Sequence, residues 1–149
     1  MTRKLLLLVG LAATACTRPA PDTAADEAAI KQVLQREAVT WRAGDVAGHA
    51  ACWQLRPYSR ILVSTAEGKL LDVPPALMTQ ASPAMGKGGA AVQSGYQLHV
   101  AGPEAWVTHD EVSTTPDGQK SYSRELRLLE KVGGQWKLVG QSIHAYKPQ

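Results

Sequence analysis

The chain has 149 residues, enough for one domain, since domains commonly hold about 100–150 residues. Lys and Arg number 16 against 13 Asp and Glu, a formal charge of +3; Arg3 and Lys4 sit in the leader, so without them the balance is 14 against 13, or +1. No clustered basic patch remains, which argues against a nucleic-acid partner, and His49, His99, His109 and His144 lack metal-ligand spacing. Neither a metal nor another cofactor is expected.

The chain opens MTRK, continues LLLLVGLAATA and reaches Cys16. A basic start, an apolar run too short to span a bilayer and small residues before the cut describe a secretory signal over residues 1–15. Cys16 after Ala13-Thr14-Ala15 resembles a bacterial lipoprotein signal, with Ala13 departing from the usual Leu. The resemblance implies lipidation of Cys16 and a chain held to the membrane in the bacterial envelope. Thr17, not Asp, follows the Cys, which in enterobacterial lipoproteins implies the outer membrane, facing the periplasm. A plain signal with an incidental Cys16 is the alternative. Residues 16–25, rich in Pro, Ala and Thr, read as a tether, and 26–149 as the domain.

Thr23 with Asp26 three residues on resembles a capping box. Ile30, Val33, Leu34, Ala38 and Trp41 follow at helical spacing and form one apolar stripe, ended by Gly44. Asp45 caps a short second helix through Trp53, where Cys52 reads as a small buried hydrophobe. Ser59 to Asp72 reads as a hairpin turning at Glu67-Gly68. Pro74-Pro75 pre-set a short helix from Ala76 to Gln80. The Gly- and Ala-rich stretch from Ala81 to Ala91 reads as a mobile loop of the kind that lids cavities. Gln93 to Ala101 supplies a strand. Three long strands then follow from Pro103 to Lys147, joined at Asp117-Gly118 and Gly133-Gly134.

This order predicts an α+β fold, a long helix and short helices packed on a curved antiparallel sheet. It resembles the cone-shaped nuclear transport factor 2-like (NTF2-like) superfamily, shared by ketosteroid isomerase, SnoaL-type cyclases and the kinase association domain. The closest local match is RLLEKVGGQWKLV, Arg127 to Val139, which is similar to the R-x-W-x-x-x-x-G-x-W-x-I-V ending of the DUF4440 and SnoaL-like branches. Leu129 stands where an aromatic is common and Gly140 where His is common.

Two-residue loops at both turns set Asp110 opposite Glu125, Thr108 opposite Arg127 and Trp106 opposite Leu129, with Ser142 and His144 on the same face as Trp136. If that face is concave, Asp110 and Glu125 form a carboxylate pair beside Arg127, with His144 as a second proton carrier. The resemblance favours this assignment, since the matched Arg and Trp point inward in the family. By hydrophobic count the opposite face, with Val107, Leu126, Leu128, Val139 and Ile143, is the better core, and both assignments stay open. Trp41, Trp53 and Tyr58 are further candidates for the pocket.

The expected function is a lipid-anchored domain binding a small organic ligand through Arg127, Trp136, Trp106, Thr108, Ser142, Trp41, Trp53 and Tyr58. An isomerase-like enzyme using Asp110, Glu125 or His144 is one alternative. A non-catalytic module that forms a homodimer through its convex face is the other.

Overall fold

The computed structural model describes residues 23–148. The leader, Cys16 and most of the tether lie outside them. Helix α1 (Thr23–Ala43) leads into α2 (Val46–Ala50), whose N-cap Asp45 accepts the Gly48 N–H at 2.8 Å. Strands β1 (Ile61–Ser64) and β2 (Leu70–Val73) form a hairpin, a 3-10 turn covers Pro75–Thr79, and β3 (Ala90–Ala101), β4 (Glu104–Thr114), β5 (Lys120–Val132) and β6 (Gln135–Tyr146) follow.

The strands make one six-stranded sheet in the order β2-β1-β6-β5-β4-β3, antiparallel except where β1 runs parallel to β6. Before β1 begins, Trp53 bridges Leu138, so one side of β6 is covered in two instalments, first by Cys52–Gln54 and then by β1. A bulge in β6 opposite Leu128/Leu129 separates them. Gly140 sits there, and a Cβ on it would come within 3.3 Å of the Arg60 carbonyl, a contact that only glycine relieves fully.

The first turn of the meander differs from expectation. Thr115, Pro116, Asp117 and Gly118 make a turn in which the Gly118 N–H bonds to the Thr115 carbonyl, and Gly118 takes φ +87°. This is the three-residue hairpin loop, a turn closed by a left-handed glycine, and it holds one residue more than the loop expected at Asp117-Gly118. The β4–β5 register therefore shifts by one: Asp110 faces Arg124, not Glu125, and His109 faces Glu125. Because side chains alternate, every β4 residue changes face. The second loop is the expected one, with Val132 opposite Gln135 and Leu129 opposite Leu138. Beyond it the β6 bulge moves the partners of Arg127 and Glu125 to Gln141 and Ile143.

The inner face thus carries Ala105, Val107, His109 and Glu111 from β4 and Glu125, Arg127 and Leu129 from β5, all buried. Helix α1 lies over it. Ile30 and Leu34 are fully buried and pack with Val107, Leu129, Trp136 and Leu138 at the closed end. Burial of such side chains contributes about 1.5–3 kcal/mol each. Trp136 Nε1 donates to Asp26 Oδ1 at 2.9 Å and Lys131 Nζ to the same oxygen at 2.6 Å, which ties the start of α1 to the β5–β6 hairpin.

Candidate functional site

Along α1 the inward positions run Ile30, Leu34, Glu37, Trp41, so the apolar stripe turns acidic halfway. At that point the packed core gives way to a cavity of about 450 Å³. Its walls are mostly apolar: Trp41 from α1, Ile61 and Val63 from β1, Leu77 and Met78 from the 3-10 turn, and Ile143 from β6. Ser82 and Ala84 of the following loop line its mouth. That loop, expected to be mobile, is anchored: the N–H groups of Gly86 and Gly88 bond to the carbonyls of Trp41 and Arg42 at the end of α1, 3.0 Å each.

The closed end of the cavity is polar. Arg127 donates from Nε (2.9 Å) and Nη2 to Glu125 Oε2 and from Nη1 to Gln141 Oε1, and Nη1 lies 3.6 Å from Glu37 Oε2. Glu125 Oε1 accepts the Ser123 hydroxyl at 2.7 Å. Arg42 Nη2 bonds Glu111 Oε1 at 2.7 Å and also contacts Ser113, while Gln93 Nε2 donates to Glu111 Oε2 at 3.0 Å. Behind Glu37, His49 Nε2 is 3.1 Å from Glu37 Oε1 and His49 Nδ1 is 2.8 Å from the Met78 carbonyl.

These bonds determine the charge balance. The Met78 carbonyl can only accept, so His49 Nδ1 carries a proton. The bond to Glu37 needs one more proton, on Nε2 or on the carboxyl, and in either form the Glu37–His49 pair is uncharged. Burial opposes the charge of Glu37, but Arg127 and the His49 bond outweigh it and hold the carboxyl below its ordinary range. Burial likewise opposes Glu111, and the Gln93 bond and Arg42 bring it below its ordinary range. Burial works against the Arg127 charge as well, and Glu37, Glu125 and Glu111 together raise it further above the ordinary guanidinium range. Arg42 balances Glu111, and Arg127 balances Glu125. His109, its ring tilted against that of Tyr96 with 5.5 Å between centroids, is pushed down by burial first and by Arg127 second, which favours its neutral form. The buried floor is therefore electroneutral.

Of the residues expected at a pocket, Trp41, Glu125 and Arg127 line the cavity. Trp53 and Trp136 belong to the packed core. The one-residue shift turns Trp106, Thr108 and Asp110 to the outer face, and the β6 bulge does the same to Ser142 and His144. There Asp110 bonds Arg124 at 2.9 Å, Ser142 Oγ lies 2.9 Å from His144 Nε2, and exposed Tyr58 bonds Glu130. The expected Asp110–Glu125 pair is thus replaced by Glu125 beside His109, 3.7 Å between Oε2 and Nε2. Glu111, turned to the inner face by the same shift, pairs with Arg42 of α1.

Glu37, Arg42, Glu111 and Gln141 were not among the expected pocket residues. Glu37 had a signal: a carboxylate at a core position between Leu34 and Trp41. Gln141 had none, because its facing depends on the bulge. Among the described residues no helix is long and apolar enough to cross a membrane.

No family profile matches the chain, and no curated protein sequence does. Solved structures do. An NTF2-like protein with a cystatin-like fold from Novosphingobium aromaticivorans matches with TM-score 0.63 at 14% identity, over 85% of this chain and 86% of its own. An NTF2-like protein of unknown function from Shewanella baltica matches with TM-score 0.58 at 17% identity, over 84% of this chain and 97% of its own. A protein of unknown function from Mycobacterium tuberculosis matches with TM-score 0.63 at 17% identity, over 90% of this chain and 79% of its own. Together with the helix-on-curved-sheet architecture, these likenesses show that the chain has the NTF2-like, cystatin-like α+β fold.

Proposed function

We propose that the domain binds a small, neutral, largely apolar organic molecule in the cavity beneath α1. One observation carries the reading: an apolar-walled space of about 450 Å³ ends on a buried, charge-balanced polar floor. Ligand pockets commonly have about 300–1,000 Å³ with apolar walls and a few convergent polar groups. Burying ions costs several kcal/mol each, so roughly, apolar residues in place of Glu37, Glu125 and Arg127 would serve stability better. Their presence beside a cavity supports a binding role. Thermal melting of the protein against a library of small neutral metabolites tests it. A rise in melting temperature for some members is expected; a flat response across the library overturns it.

Anchoring at Cys16 is part of the same proposal and is supported by the leader. Metabolic labelling with a palmitate analogue in a bacterial host, lost in Cys16→Ser, is the expected result; unlabelled protein overturns it.

A second reading, a homodimer through the outer face, is favoured by Trp106 and Leu128. They are cross-strand neighbours, 41% and 43% exposed. Two large side chains held side by side in water are a usual mark of an interface. Sedimentation should give a dimer that Trp106→Lys dissociates, and a wild-type monomer at micromolar concentration contradicts the reading.

A further inference from the structure

Five residues close a ring at the floor of the cavity: Glu37, His49, Met78, Gln141 and Arg127. Three of its links are hydrogen bonds, between His49 Nε2 and Glu37 Oε1, from His49 Nδ1 to the Met78 carbonyl, and from Arg127 to Gln141 Oε1. Two links are weak, and both involve side chains that line the cavity.

The first weak link is Gln141 Nε2. Arg127 can only donate, so the oxygen of the Gln141 amide must face it and the nitrogen must face the other way. There it meets Met78 Sδ at 3.9 Å. A thioether is a poor acceptor, and the amide has two N–H groups to place. Gln141 is only 8% exposed, so water contact in the folded chain is largely gone. The second weak link is Glu37 Oε2, whose nearest partner is Arg127 Nη1 at 3.6 Å, too long for a hydrogen bond. Among the described residues this oxygen accepts no other bond. Arg127 Nη1 touches Gln141 Oε1 and approaches Glu37 Oε2, so the unused donor and the unused acceptor flank one guanidinium.

We propose that this end of the cavity recognises a neutral ligand through one group that both donates and accepts, an alcohol hydroxyl or a carboxamide, set between Glu37 Oε2 and Gln141 Nε2. The inference rests on the ligand-binding reading above and deepens it. A hydroxyl gives its proton to Glu37 and takes one from Gln141. A carboxamide does the same with its N–H and its carbonyl. An ether takes but cannot give, which leaves Glu37 unpaired against the ligand. An ammonium or a carboxylate adds a charge to a floor already in balance, and burying an uncompensated charge is costly.

The test is a matched series on one ring: cyclohexanol, cyclohexanecarboxamide, methoxycyclohexane, cyclohexylamine and cyclohexanecarboxylate, each titrated calorimetrically into the purified protein. Cyclohexanol and the carboxamide are expected to bind about tenfold more tightly than methoxycyclohexane, the ratio one good hydrogen bond to a charged group supplies. The two ionic probes are expected to bind more weakly still. In Gln141→Leu cyclohexanol and methoxycyclohexane are both expected to weaken, by about the same factor, because both oxygens accept from Nε2. The series on the wild-type protein decides the matter even where that variant does not fold. Equal affinity for cyclohexanol and methoxycyclohexane overturns the inference and leaves the cavity reading standing. Tightest binding of an ionic probe overturns it too, and absence of binding by every probe overturns both.

Discussion

Glu37 on α1 and Arg127 on β5 approach each other across the cavity floor, Oε2 to Nη1 3.6 Å, with side chains 8% and 4% exposed. The helix and the sheet thus meet in a charged contact here, as they do at Arg42 with Glu111 and at Asp26 with Lys131. Arg127 also holds Glu125 and Gln141, so one guanidinium organises three partners from three elements.

Removing that guanidinium leaves Glu125 buried without its counter-charge. Arg127→Met is expected to lower stability by about 3–5 kcal/mol, the usual cost of breaking a buried pair from one side. Urea denaturation followed by circular dichroism measures it. A loss under 1 kcal/mol, roughly a surface pair's worth, means that Arg127 is solvated.

Trp136 separates core from pocket. Trp136→Phe loses the bond to Asp26 Oδ1 while Lys131 keeps its own. A bond to a carboxylate contributes about 1.5–3 kcal/mol, so a destabilisation of that order is expected, with the ligand response in melting experiments retained. Loss of the response at unchanged stability contradicts the placement of Trp136.

Stability is expected to fall with pH in two windows. His109 titrates below its ordinary value of about 6.5 because of burial first and Arg127 next, with Glu125 and Glu111 opposing. Between that depressed value and about 6.5 the unfolded chain binds a proton that the folded chain refuses, so stability drops as pH falls. Glu37 and Glu111 are held below the ordinary carboxylate range, burial opposing and Arg127, His49, Gln93 and Arg42 prevailing. Their stabilisation is full above about 4.3 and is lost as pH falls through the lowered values. The urea midpoint against pH records both limbs, and His109→Gln should flatten the upper one. An unaltered upper limb in that variant refutes the assignment.

Asp110 and Arg124 pair on the outer face, side chains 32% and 71% exposed. Asp110→Asn is expected to leave the urea midpoint and any ligand affinity unchanged. A clear loss of affinity would mean that β4 presents its other face to the cavity.

Much of the fold is legible in the residues. The α1 stripe, its end before Gly44, the Asp45 cap and the Gly133-Gly134 loop are local signals, and local hydrogen bonds decide them. The facing of β4 is not local in that sense. Thr115-Pro116-Asp117-Gly118 accommodates a loop of two or three residues, and the extra residue turns Asp110 outward and Glu111 inward. The bulge in β6 arises where its covering changes from Cys52–Gln54 to β1, a tertiary event that no residue of β6 announces except Gly140. For that reason Arg127 and Glu125 were recognisable as floor residues while Gln141 was hidden and Ser142 and His144 stood in its place. Glu37 was legible from helical spacing alone: a carboxylate between Leu34 and Trp41 is a charge in the core stripe, and it marks where the packed end of the cone gives way to open space.

Titration of isotope-labelled protein with cyclohexanol, read by two-dimensional NMR, examines the binding site most directly. The predicted result is a saturable shift of the Gln141 side-chain amide with the Ile143 and Val63 methyls, the Trp106 indole staying still. Shifts gathered at Trp106 and Leu128 with Gln141 unmoved would contradict the assignment of the cavity as the binding site.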